Sequence, residues 1–217
     1  LAVGNVEPHQ IMGFSGGVKS VAIGVAGKET INHNHAMMRN PNARLGQLEH
    51  NPARADVEEI GQMMRVDFVL NAILNGEKQL VSAVAGEPLA VMRNAVPQVR
   101  EIFQVKVEEL FDLMIVSPGG YPKDINVYQA QKALAHARFV TNTGGTIILV
   151  AACPEGTGSQ TYESWMLGSG LTSHDAVIHQ FEQENFRIGV HKAFQIARDA
   201  RDIRVLLISD MSDDFVR

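Results

Sequence analysis

The chain has 217 residues, of which 45% are hydrophobic and 20% are charged, a composition that is ordinary for a folded globular protein and argues against disorder. Lysine and arginine number 19 against 24 acidic residues, and no long basic run occurs, so we expect no nucleic acid or anionic membrane as a partner. The single cysteine, Cys153, excludes an internal disulfide. With no membrane-length apolar run and no visible signal peptide, these features predict a cytoplasmic protein.

The first half of the chain mixes short strands with helices. Residues 1–6 have the pattern of the end of a strand, and two apolar runs flank Asn75-Gly76, a pair that is typical of a β-hairpin turn. The segment 87–103 predicts a crossover helix that is kinked or interrupted near Pro97. The hairpin strands are predicted over 66–74 and 79–84, and the other helices over 18–26, 28–38 and 53–64.

From Phe111 onward, strands alternate with helices, which predicts parallel βαβ units with functional loops at the carboxyl ends of the strands. The strands are predicted over 113–116, 146–151 and 203–209, and the helices over 124–138, 158–167, 173–184 and 189–201. We therefore predict an α/β fold with mixed helices and strands in the N-terminal part and a parallel βαβ-type sheet flanked by helices in the C-terminal part. The predicted domains are 1–105 and 106–217.

A glycine-rich turn that contains Lys19 lies between His9 and His35, so that a loop-to-helix fold could bring an amine and two imidazoles together. A neutral imidazole binds divalent metals, and imidazole also transfers protons near pH 7. Taken singly, each histidine is more often a surface, capping or core residue. Lys19 and Ser20 suggest a Walker A loop, but Val18 stands where that pattern requires glycine.

A second phosphate-loop interpretation is an adenylating enzyme. Residues 14–20 resemble the Ser-Gly-Gly-x-Asp-Ser loop of ATP pyrophosphatases, except that Lys19 replaces the acid. That loop normally follows a strong strand, whereas residues 7–10 contain Pro8 and make a poor one. An enzyme that uses Ser15 to Ser20 on ATP therefore stays a weaker alternative.

Together these residues resemble the central motif of the lactate racemase family, whose members carry a nickel-pincer nucleotide. The matching positions are Glu7-Pro-His9, Gly13-Phe-Ser-Gly-Gly17, Lys19, Gly24, Glu29-Thr-Ile31 and Asn34-His35. The resemblance implies that Lys19 is joined covalently to the cofactor, that His35 ligates nickel and that His9 is an acid/base. It also implies that Gly16 and Gly17 belong to the cofactor-binding turn. A recombinant sample made without the cofactor-making enzymes is expected to lack the nucleotide.

A second segment, Ser117 to Lys132, is similar to another motif of the same family. The resemblance implies that Tyr128, Gln129 and Lys132 bind the substrate. Gln129 and Lys132 lie three residues apart on one helix face, where an amide and an ammonium group can grip a carboxylate. A solvated amphipathic helix is the alternative. Lactate-acting members carry a tryptophan near the position of His191, and its absence puts lactate itself in doubt.

The resemblance implies a racemase or epimerase of a small 2-hydroxy carboxylate. A base takes the hydroxyl proton, the C2 hydride moves to the cofactor, and the hydride returns on the other face. The chain corresponds to roughly the second half of a family member, and the other half would carry the nucleotide-phosphate loop and a second histidine. We therefore expect these residues alone to racemise poorly and to need that N-terminal half as a partner. A cofactor- or metal-binding domain without turnover remains an alternative.

Overall fold

The structure, a computed structural model, describes residues 1–170 and 173–212. The chain divides into two compact units, Leu1–Lys106 and a second unit that begins at Val107. Each unit has its own sheet and its own buried core. Within the described residues, no helix is long and apolar enough to cross a membrane.

The first unit is built on a three-stranded sheet with helices and a small separate ribbon. The sheet pairs β1 (Ala2–Asn5) in parallel with β4 (Val69–Leu74), which pairs antiparallel with β5 (Leu80–Gly86). The ribbon is the antiparallel pair β2 (Pro8–His9) and β3 (Gly13–Phe14). The helices are α1 (Lys19–Ala22), α2 (Lys28–Ala36), α3 (Pro52–Met63) and α4 (Pro88–Phe103), with a short 3-10 helix (Met37–Arg39) after α2.

The predicted hairpin is present, with its turn at Asn75 and Gly76. The Asn75 side-chain oxygen accepts hydrogen bonds from the backbone N–H groups of Glu77 (3.0 Å) and Gln79 (2.9 Å). This Asx-type turn closes β4 onto β5, as expected for an asparagine that can imitate a backbone acceptor.

Two predicted elements of this unit differ from the structure. The helix predicted over 18–26 shrinks to the single turn of α1, because Gly24 and Gly27 weaken the helical tendency of an otherwise small and apolar run. The helix predicted over 87–103 is α4, which continues past Pro97 without interruption. It is not a crossover within one sheet, since β5 runs antiparallel to β4 and the next strand belongs to a different sheet.

The core of the first unit lies between α4 and the sheet. A fully buried cluster joins Val6 and Phe14 from the N-terminal segment to Ile73 of β4 and Met92 of α4. Helix α3 begins at a buried cap, because the Asn51 side chain accepts a hydrogen bond from the Arg54 N–H. The core therefore fixes Phe14, where the glycine-rich turn begins, to the sheet and to α4.

The second unit contains the parallel sheet that the sequence predicts. Three parallel strands lie in the order β6 (Phe111–Val116), β7 (Thr141–Val150) and β8 (Arg204–Ile208). Helix α5 (Val127–Arg138) connects the first two strands, and α6 (Gln160–Ser169), α7 (His174–Gln183) and α8 (Val190–Ala200) lie between the last two. The buried face of α5 packs Ala130 and Leu134 against Ile147 and Leu149 of β7. The predicted α/β fold class is thus confirmed.

Candidate active site

The glycine-rich turn of the first unit is held by hydrogen bonds to neighbouring segments. The Ser15 hydroxyl donates to the Asn5 carbonyl (3.0 Å) and accepts from the Glu7 N–H (2.9 Å). The Gly17 N–H donates to the Asn71 side-chain oxygen at 2.7 Å. These groups are engaged within the protein and are therefore not available to a phosphate. The geometry does not favour the ATP-binding alternative.

The two glycines predicted to bind cofactor, Gly16 and Gly17, have φ angles of +81° and +61°. A Cβ atom at Gly16 would lie 2.6 Å from Val6 Cγ2, and one at Gly17 would lie 2.6 Å from Arg54 Nη2. Both positions therefore require glycine for backbone conformation and for close packing. Their contact with a cofactor stays a prediction.

Arg54 of α3 holds the turn in place, and the sequence analysis did not single it out. Its buried guanidinium donates to the Phe14 carbonyl (3.3 Å) and the Gly16 carbonyl (3.2 Å), and it pairs with Glu58 one turn along the helix. The Glu58 carboxylate offsets part of the cost of burying this guanidinium. Arg54 also places a fixed positive charge beside the turn.

Lys19 opens α1 directly after this turn and is half-buried. Burial lowers the pKa of the Lys19 amine below its ordinary value, and the positive charge of Arg54 lowers it further. A lysine with a lowered pKa spends more time as the neutral amine, which is the nucleophilic form. The position thus suits an amine that must form a covalent bond.

His35 lies in the last turn of α2, where its Nδ1 is 3.0 Å from the Ile31 carbonyl oxygen. Because a carbonyl can only accept, Nδ1 carries the proton and Nε2 carries the lone pair of the neutral ring. Metal-binding histidines commonly donate their second N–H to a backbone carbonyl in this way. His35 therefore has the tautomer that a nickel ligand needs.

The neighbouring Asn34 anchors α2 onto α3. Its fully buried side-chain amide donates to the Ala53 carbonyl (2.8 Å) and to Asp56 Oδ2 (2.9 Å). His33, by contrast, has a side chain that is 71% exposed and lies 3.9 Å from Asp56, as expected for a surface residue. In the Asn-His pair, the asparagine therefore positions the helix and the histidine is the candidate ligand.

His9 lies on the small ribbon, on β2. Its Nδ1 accepts hydrogen bonds from the backbone N–H groups of Ile11 (3.3 Å) and Met12 (3.2 Å). Nδ1 is therefore the unprotonated nitrogen, and Nε2 carries the ring proton. To accept a proton, the ring would have to give up these two backbone contacts.

Lys19, His9 and His35 all lie in the first unit, on α1, β2 and α2. One surface cavity of this unit is lined by residues of α3 and α4 and of the segment before α3, including His50 and Arg54, and by none of these three. Within residues 1–170 and 173–212, no group of three or more histidine, cysteine or acidic side chains could hold a metal ion by itself.

The candidate substrate residues lie at the start of α5 in the second unit. The Asn126 side chain caps this helix by accepting from the Gln129 N–H at 3.1 Å. Lys132 Nζ donates to Gln129 Oε1 at 2.7 Å, so the predicted clamp residues contact each other. Desolvation lowers the pKa of Lys132 and raises the pKa of Tyr128. Tyr128 therefore keeps its phenolic proton.

The loop after β7 supports the start of α5. The N–H groups of Val127 and Tyr128 donate to the carbonyls of Gly156 and Thr157, each at 3.0 Å. Glu155 Oε2 accepts from the Asn126 amide at 3.4 Å, so its carboxylate contacts the helix cap. Cys153 is buried, and burial and the nearby Asp124 raise the pKa of its thiol, which suits an inert thiol rather than a nucleophile.

Lys192 on α8 is a further member of this cluster that sequence reasoning missed. Its ammonium lies 4.6 Å from the centre of the Tyr128 ring and donates to Gln131 Oε1 at 3.3 Å. The adjacent His191 ring meets Tyr128 edge to face, at 5.8 Å between ring centres. The sequence of α8 alone does not mark Lys192 as a functional residue, because a lysine in a helix is normally exposed and this one lies on the buried face.

Comparison with known proteins places this arrangement in a family. The sequence model of the lactate racemase N-terminal domain matches residues 1–46, and that of the C-terminal domain matches residues 107–217. The chain is 35% identical over 167 residues to a lactate racemase of Thermoanaerobacterium thermosaccharolyticum and 35% identical over 164 residues to one of Lactiplantibacillus plantarum. The chain therefore belongs to the lactate racemase family.

Solved structures agree with this assignment. The apoprotein of the T. thermosaccharolyticum lactate racemase superposes with a TM-score of 0.90 at 30% identity, over 97% of this chain and 51% of that one. A Thermotoga maritima protein shares the fold, with a TM-score of 0.74 at 20% identity, over 98% of this chain and 57% of that one. The matched segments make up 76% and 75% of this chain, but only 39% and 38% of the two curated relatives.

Proposed function

We propose that this chain is the part of a 2-hydroxy acid racemase or epimerase that carries the cofactor lysine, the nickel ligand and the carboxylate clamp. The observation that carries the proposal is Lys19, a half-buried amine beside Arg54 whose pKa is lowered. Family membership supplies the reaction class, since the curated relatives are lactate racemases. Lactate itself is the first substrate to test.

Two residues of the first unit fit a nickel-pincer nucleotide. Lys19 would be joined to it through its neutral amine, and His35 would bind the metal through Nε2 while Nδ1 donates to the Ile31 carbonyl. The nucleotide, when bound, supplies an acceptor for the hydride at C2 of the substrate. Asn34 would keep His35 in position through its bonds to α3.

His9 would move the proton of the substrate hydroxyl. In the structure its acceptor nitrogen, Nδ1, is engaged by the Ile11 and Met12 N–H groups. The proposal therefore includes a rearrangement in which the ring gives up these contacts and presents an acceptor to the hydroxyl.

Gln129 and Lys132 would hold the substrate carboxylate. Their mutual hydrogen bond of 2.7 Å would be exchanged for bonds from both groups to the carboxylate oxygens. Tyr128, which keeps its proton, could donate a further hydrogen bond. Fixing the carboxylate leaves C2 free to become planar and to be attacked from either face.

The resemblance to the family implies that a second acid/base histidine lies in a part of the polypeptide outside these 217 residues. We propose that efficient racemisation needs the part that corresponds to the remainder of a lactate racemase, whether fused or supplied as a separate chain. The 217 residues alone should therefore show little turnover even when they carry the nickel-pincer nucleotide. The second candidate, a cofactor-binding module without turnover, would be favoured if the added half gave no activity. A cytoplasmic location stays a prediction.

The test is expression together with the cofactor-making enzymes, followed by peptide mass mapping and nickel analysis. The expected result is a mass increase on the Lys19 peptide and about one nickel per chain. Lys19→Arg should abolish the increase, whereas Lys28→Arg, at an exposed lysine of α2, should leave it unchanged. His35→Ala should keep the mass increase and lose nickel. An unmodified Lys19 without nickel would contradict the proposal.

A further inference from the structure

Lys192 is a buried cation within the second unit. Only 5% of the residue is exposed, and its ammonium lies where α8 packs against α5. One of its three N–H donors binds Gln131 Oε1, and the Tyr128 ring covers one side at 4.6 Å. An amide oxygen and a ring face stabilise an ammonium but do not neutralise it.

No carboxylate in the described part of the chain forms an ion pair with Lys192. Asp199 is close enough to attract the ammonium, but its Oδ1 contacts Arg198 at 2.9 Å and its Oδ2 accepts from Gln131 at 3.2 Å. Burial, and then repulsion from Lys132, lower the pKa of Lys192 to about 8. The attraction of Asp199 raises this pKa but does not offset the two opposing effects, so an anionic ligand would further stabilise the buried ammonium.

This only partly compensated charge borders the predicted clamp. Lys192 and Lys132 are close enough to repel each other, and Tyr128 stands beside both. One substrate carboxylate would be satisfied by Lys132 and Gln129, which leaves the charge of Lys192 only partly neutralised. A ligand with two negative charges would neutralise both amines.

We propose that Lys192 binds a second carboxylate of the substrate, so that the hydroxy acid is a 2-hydroxy dicarboxylic acid. The identification of the ligand as a hydroxy acid rests on the function proposed above. The proposal of a site for a dianion rests only on residues of the second unit.

The test compares two ligands that have the same number of carbon atoms and differ in one carboxylate, 2-hydroxybutanedioate and 2-hydroxybutanoate. Their affinities for the 217-residue chain without cofactor are measured by calorimetry or by NMR titration. We expect the dianion to bind at least about tenfold more tightly, as one charge-assisted hydrogen bond would provide. Equal affinities would overturn the proposal, and this comparison needs no variant.

Variants then assign the preference to one residue. Lys192→Met keeps the length of the side chain without its charge and should reduce the affinity for the dianion to that for the monoanion. Lys123→Met, at an exposed lysine of the same unit, should leave the preference unchanged. A preference that survives Lys192→Met, or that disappears in Lys123→Met, would overturn the assignment to Lys192.

Failure here is distinguishable from failure of the proposed function. A chain that prefers the dianion through Lys192 but never inverts a hydroxy acid would overturn only the racemase proposal. A loaded enzyme that inverts 2-hydroxybutanoate more efficiently than 2-hydroxybutanedioate would overturn only the dicarboxylate proposal.

Discussion

At the scale of single residues, the turn at Gly16 shows how tightly the candidate site is built. The residue has a positive φ, and an added methyl group would overlap Val6. We expect Gly16→Ala to lower the free energy of unfolding by about 2 kcal/mol or more, through backbone strain and overpacking. Chemical denaturation measures the change.

The control for this substitution is Gly76→Ala in the hairpin turn. A Cβ atom there meets no other atom within 4 Å, and the backbone does not adopt a positive φ. Its effect should stay within about 0.5 kcal/mol, as for an ordinary surface position. Equal losses in the two variants would show that the turn at Gly16 is not specially constrained.

The buried charge of Lys192 makes stability depend on pH. Its pKa is about 8 in the folded protein against an ordinary value of 10.5, so between these values the unfolded chain binds a proton that the folded chain does not. The free energy of unfolding should therefore rise with pH, by about 1.4 kcal/mol per unit and roughly 3 kcal/mol in all from this residue.

Lys192→Met should remove this contribution, so the free energy of unfolding of the two proteins should differ most at pH 7 and converge towards pH 10.5. Comparing them at each pH cancels groups that titrate in both, such as Tyr128 and Cys153. The neighbours Lys132 and Asp199 remain in both proteins, although loss of the charge alters their surroundings. If the difference in free energy of unfolding stayed constant across the pH range, the pKa of Lys192 would not be lowered by folding.

Single-residue roles were predictable from the sequence only where a motif carried them. The motif singled out Lys19, and the structure gives its amine a lowered pKa. Arg54 was missed because its partners in the turn lie 38 and 40 residues away, and Lys192 was missed because its partner Gln131 lies 61 residues away. Such contacts depend on the tertiary fold and leave no local pattern.

At the scale of elements, α2 depends on one buried amide. Asn34→Ala would remove two hydrogen bonds to α3 and leave the Ala53 carbonyl without this donor. We expect a loss of about 1–3 kcal/mol in stability and weaker nickel binding by loaded protein, because His35 follows directly on the same helix. Denaturation and nickel analysis measure the two effects.

His33→Ala is the matched control on the same helix, since this side chain is exposed and its pairing with Asp56 is long. It should change neither stability nor nickel content appreciably. If Asn34→Ala destabilised the protein but left nickel binding intact, the asparagine would support the helix without positioning the ligand.

The elements themselves were largely predictable in the second unit, where strands and helices alternate and periodicity is clear. Strand β7 begins five residues before the predicted start at 146, because pairing with β6 recruits a segment that contains Gly144 and Gly145. In the first unit, the ribbon of β2 and β3 was missed since Pro8 argues against a strand. Its two paired residues per strand are held by the surrounding turn.

At the scale of the whole molecule, the chain is two compact units, and the two domain models of one family match residues 1–46 and 107–217. The first compact unit ends at Lys106, and the division into domains 1–105 and 106–217 stays a prediction from the sequence. Proposed cofactor residues lie in the first unit and proposed substrate residues in the second. Neither set could be assigned a chemistry from composition or periodicity alone.

The most direct test of the account follows the hydrogen at C2. Loaded enzyme, completed by the remainder of a family member, is given a single enantiomer of a 2-hydroxy acid with deuterium at C2 in ordinary water. The account predicts that the inverted product keeps its deuterium, because the hydride returns to the carbon it left. Inverted product that carries solvent hydrogen at C2 would contradict it.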